Sequence, residues 1–136
     1  MVEPIHQSMF YRDGRGPELQ RVYWGLRGVR LDAIEYYNPD DVYDEVSLKH
    51  VRFEGFQVAM ITPEEVIEYS ELGPRLASTG PAAMFDLGKS EWLRSFSPRH
   101  LSACHHFQLM FYDDLLDIIC ERVSCHCGRY ARESAG

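Results

Sequence analysis

Residues 100–128, "HLSACHHFQLMFYDDLLDIICERVSCHCG", hold all four cysteines and four of the six histidines of this 136-residue chain. Thiols and imidazoles at this density point to two chemistries. One is a zinc site that would draw on Cys104, His106, Cys125 and Cys127, since thiolate and neutral imidazole are the ligands zinc takes. The other is a thiol nucleophile, Cys104, with His106 as base and Glu121 orienting that base. The spacing weighs against both. Zinc knuckles use two residues between cysteines, whereas "CHC" leaves one, which holds two thiols on one face of a strand but far apart. On a strand Cys104 and His105 point to opposite faces, and Cys104 and His106 stand about 6–7 Å apart at Cα. The preferred reading is a β-hairpin whose soft side chains are scaffold, with Cys120 a buried apolar residue.

A tight turn at Asp113-Asp114 would set Tyr112 opposite Leu115, Leu109 opposite Ile118, Phe107 opposite Cys120 and His106 opposite Glu121. Phe107, Leu109, Phe111, Leu116, Ile118 and Cys120 then share an apolar face. Gln108, Met110, Asp117 and Ile119 share a mixed face expected to be partly wet. Moving the turn shifts every pair.

Charge locates a different candidate. The chain carries a net −7, and residues 32–71 contain eleven carboxylates against two cations, a local −9. Such a field repels phosphate backbones, so no direct nucleic-acid binding is expected, and it draws a basic protein partner. Within it "EYYNPDDVYDE" sets Tyr36, Tyr37 and Tyr43 among Asp40, Asp41, Asp44 and Glu45. Phenols beside charge are typical of protein contacts. The carboxylates lack the alternating ligands and central glycine of a calcium loop. This segment is therefore the candidate partner-binding surface. The function expected is that of a non-catalytic binding or accessory protein, in one form an inhibitor or immunity partner of a basic enzyme or toxin. The alternatives are a small zinc module and a Cys/His enzyme.

The elements that position these residues follow from local patterns. "RVYWGLRGVRLDAIEYY" is strand-like, with Gly25 and Gly28 as bend sites. Residues 46–53 and 56–61 read as two strands, the second the more buried. Thr62, Pro63 and Glu65 form an N-cap signature that predicts a helix ended by Gly73-Pro74. Ser90 caps a second short helix, "EWLRSF". Strands in succession between helices predict an α+β fold: a mainly antiparallel twisted sheet with one or two short helices on one face. One domain over residues 1–124 and a loose tail over 125–136 are expected. No apolar run reaches the roughly 18 residues of a membrane span, and the opening "MVEPIHQSMF" lacks the pattern of a secretory signal. A cytoplasmic location with reduced cysteines is the resulting expectation. Homo-oligomerisation is left open.

Overall fold

The computed structural model describes residues 2–131, Glu71 by its backbone alone. The architecture is α+β, with nine antiparallel strands in two sheets and two short helices among the described residues. The first sheet contains β1 (Glu3–Pro4), β5 (Val58–Pro63), β6 (Met84–Asp86), β7 (His105–Met110) and β8 (Asp114–Cys120), in the order β1-β6-β7-β8-β5. The second contains β2 (Glu18–Gly25), β3 (Arg30–Tyr37), β4 (Lys49–Glu54) and β9 (Arg122–Cys127), in that order. Helix α1 spans Tyr69–Ser78 and α2 spans Glu91–Arg94. Among the described residues no helix is long and apolar enough to cross a membrane.

Strand alternation builds the core. Leu31, Ile34, Tyr36, Val51, Phe53 and Val123 of the second sheet and Phe107, Leu109, Leu116, Ile118 and Cys120 of the first belong to one buried cluster. Phe10 joins the two layers, its ring edge-on to Tyr36 at 4.9 Å and to Phe111 at 5.4 Å. Two strand-to-strand connections cross between the layers at one corner. β4 leads through Gly55 into β5, and β8 leads through Glu121 into β9. The Glu121 amide donates to Glu54 O at 2.8 Å and holds the two crossings together.

The β7–β8 hairpin keeps its expected faces but not its expected pairs. His105 pairs with Cys120, Phe107 with Ile118 and Leu109 with Leu116. The Phe111 amide donates to Asp114 O, so Tyr112-Asp113 is the two-residue turn. A turn one residue earlier moves each partner by two positions, which preserves facing. His106 therefore lies opposite Ile119 rather than Glu121. The face expected to be wet is buried, with His106, Gln108, Asp117 and Ile119 all covered.

The first helix also departs from expectation. Thr62 and Pro63 close β5, paired with Leu115 and Asp114. Pairing along six residues outweighs the local capping signal, and the proline sits on an edge strand, where a missing N–H is tolerated. α1 begins six residues later, where the Glu68 carboxylate accepts from the Ser70 amide at 2.9 Å, and it continues through Gly73-Pro74. β5 is more exposed than β4, the reverse of the expectation. Ser90 caps α2 as expected, accepting from the Leu93 amide at 3.1 Å. β9 carries strand pairing through Cys127, into the segment read as a tail, while residues 132–136 of that segment lie outside the described residues.

Candidate functional site

The acidic segment is a loop between β3 and β4, and its own side chains frame it. The Asp41 carboxylate accepts from the Asn38 amide at 2.8 Å and from Lys49 Nζ at 2.7 Å. Asp44 Oδ1 accepts from the Ser47 amide at 2.8 Å, and the Tyr37 hydroxyl donates to Asp44 O at 2.9 Å. Tyr37 and Tyr43 stack with centroids 4.6 Å apart and planes 8° from parallel. The Tyr43 hydroxyl donates to Glu18, and the Tyr11 hydroxyl to Asp40. That bond to Asp40, with partial burial, pushes the Tyr11 phenol up to about 12.

This frame divides the candidate residues. Tyr36 is fully buried and donates to Met9 O at 2.6 Å, and Tyr37 is buried beneath Tyr43. Both are supports rather than contact residues. Asp40, Tyr43, Asp44 and Glu45 are exposed, and Asp41 is half-buried at the base. Val42 and Val46 are exposed among them, Val46 at 90% and Tyr43 at 53%. Through Glu18 the loop adjoins an open cavity of about 200 Å³ lined by Glu18, Leu19, Phe111, Tyr112, Asp113 and Asp114. The fold thus adds the Asp113–Asp114 end of the β7–β8 hairpin to the acidic loop. Sequence reading treated those aspartates only as a turn, since their proximity to Glu18 is set by tertiary packing.

The four candidate zinc ligands are not brought together. Cys104 is buried beside Leu93, Leu101 and Ile119. His106 is engaged by Ser90 and Asp117. Cys125 packs against the core beside Tyr36, and Cys127 is exposed farther along β9. Among the described residues no group of three or more His, Cys, Asp and Glu side chains is arranged to hold a metal ion. Burial pushes the Cys125 thiol up to about 11 and the Cys120 thiol up to about 12, the opposite of what a thiolate nucleophile requires.

Two polar networks escaped the sequence reading. In the first, Ser90 Oγ lies 2.8 Å from His106 Nδ1, and His106 Nε2 lies 2.6 Å from Asp117 Oδ1. Gln108 Nε2 donates to the same Asp117 oxygen at 3.0 Å, and its carbonyl accepts from Arg75. With Nε2–H donating to the carboxylate, Nδ1 accepts the Ser90 proton, and Ser90 Oγ accepts from Leu93. The hydroxyl is thereby committed to fastening α2 onto β7. The second network is a row across the outer face of the four-stranded sheet, where Glu35 pairs with His50 and His50 with His126. The segment after β9 covers it. Tyr130 donates its amide to Glu35 at 2.9 Å, and Gly128 O lies 2.8 Å from His50 Nδ1. His50 is buried for this reason.

Comparison with family models, with curated proteins and with solved structures finds no match to this chain.

Proposed function

We propose that this chain is a binding or accessory protein that docks a basic protein through the β3–β4 loop and the adjoining acidic cavity. Chemistry of its own plays no part in that role. One observation carries the reading. Val42, Tyr43 and Val46 are held outward among Asp40, Asp44 and Glu45 by a loop whose base is fixed by buried Tyr37 and Asn38 and half-buried Asp41. Apolar side chains on a framed loop give contact area with little ordering cost on binding. The surrounding carboxylates steer and select a basic partner. An inhibitor or immunity role fits, in which the loop covers a cationic active site.

The triple variant Asp40→Asn, Asp44→Asn, Glu45→Gln tests this while leaving Asp41 and its ion pair intact. Wild-type protein used as bait in its native host should retain a partner with a basic surface, and titration of that partner should weaken steeply with salt. The triple variant should lose about tenfold or more in affinity and flatten the salt dependence. Equal affinity and an equal salt slope in the two proteins would remove the basis of the proposal.

A further inference from the structure

A second cavity, of about 290 Å³, opens between α1 and the β7–β8 hairpin, away from the acidic loop. Its walls are about equally apolar and polar, with Val66, Ile67, Leu72, Leu87 and Leu115 on one side of that balance and Thr62, Gln108, Glu68 and Arg75 on the other. Arg75 is the exceptional one. Its guanidinium lies over the Phe85 ring at 4.7 Å and donates one N–H to the neutral Gln108 amide. No described carboxylate lies within ion-pair distance of it. Arg75 Nε is the one buried side-chain nitrogen or oxygen among the described residues with no hydrogen-bond partner. Native proteins leave few buried donors unpaired, because a buried donor without a partner costs free energy. The nearest buried carboxylate, Asp117, is already taken by His106 and Gln108.

We propose that this cavity is a binding site for a small monocarboxylate with an apolar body, its carboxylate held by Arg75 and its tail against Val66, Ile67, Leu72 and Leu115. A guanidinium fork matches a carboxylate in two parallel hydrogen bonds. One cation suits one negative charge, and a site with a single guanidinium lacks the donors that a phosphate ester recruits. Apolar side chains beside a few convergent polar groups are the ordinary composition of a small-molecule site. Glu68, at the N-terminal end of α1, lines the same cavity. Its like charge sets the direction of one test.

Hexanoate, with hexanamide as the uncharged control, is the probe for a nitrogen–proton NMR titration of the whole chain. Hexanoate should shift the amides of Leu72, Gln108 and Leu115 saturably, with a Kd of about 1 mM or tighter, and hexanamide should not. Arg75→Met should weaken hexanoate about ten- to a hundredfold, the loss of a charge-assisted pair. Glu68→Gln should tighten it. Val66→Trp, an exposed position at the cavity, should block it with Arg75 untouched, so the outcome does not depend on the folding of the Arg75 variant. Binding of the amide as well as the acid overturns the proposal. So does an affinity indifferent to Arg75→Met and Val66→Trp, or the lack of saturable shifts up to tens of millimolar.

Discussion

Cys127 is exposed at the end of β9, whereas Cys104 and Cys120 are fully buried and Cys125 faces the core beside Tyr36. Burial disfavours the thiolate, and the thiolate is the species that alkylates. Iodoacetamide at about pH 7 should therefore modify Cys127 in the folded protein and leave the other three intact, as read by peptide mass mapping. Raising the pH to about 9 should not open Cys125 or Cys120, whose thiols are pushed up to about 11 and about 12. All four should react alike in urea. A Cys104 that labels faster than a free thiol at neutral pH would restore the nucleophile reading. Ser90 supplies a second test at this scale. Its oxygen caps α2 and meets the buried His106–Asp117 pair, so Ser90→Ala should lower stability by about 1 kcal/mol in urea unfolding, at least the loss of an N-cap. Equal stability would mean that the cap and its link to His106 carry no weight.

The elements show where local signals suffice. Ser90 caps α2 because the cap, the acidic Glu91 and the apolar Leu93 act within one turn. The Thr62-Pro63 signal fails at α1 because Val58–Pro63 find a partner strand in β8, more than fifty residues ahead in sequence, which no local pattern reveals. The two faces of the β7–β8 hairpin are legible from period-two alternation. Its turn is not, because Tyr112-Asp113 and Asp113-Asp114 compete and only packing chooses. α1 itself retains a local weakness. Gly73 sits inside the helix without positive φ, and a Cβ there would meet nothing within 4 Å. Gly73→Ala should therefore stabilise the protein by at most about 0.5–1 kcal/mol, because alanine loses less backbone entropy on folding while its Cβ crowds the ring of Pro74, which follows it. The shift in urea midpoint at unchanged slope measures it. A destabilised variant would show that the crowding against Pro74 outweighs the entropy gain.

Which strands share a sheet was the least legible feature of the whole molecule. β4 and β5 are neighbours in sequence and separate in space, and β8 and β9 are divided by a single residue yet serve different layers. Strands that change sheets at a bend are how packed sheets turn a corner, and here both crossings pass through Gly55 and Glu121. Gly55 has φ +67°, and a Cβ at that position would come within 2.4 Å of the Glu121 side chain. Two separable effects oppose a larger residue there. The left-handed backbone costs a non-glycine residue about 1–2 kcal/mol, and the contact with Glu121 adds to it. Gly55→Ala should destabilise by about 1–3 kcal/mol, opposite in sign to Gly73→Ala. Glu121→Ala in the Gly55→Ala background should recover the steric part and leave the backbone part. Because the corner ties both layers to one core, the loss should appear as a shift of one cooperative transition, with far-ultraviolet circular dichroism and tryptophan fluorescence coincident. Separate transitions by the two probes would show that the layers fold apart. A neutral Gly55→Ala would show that the chain does not turn its corner there.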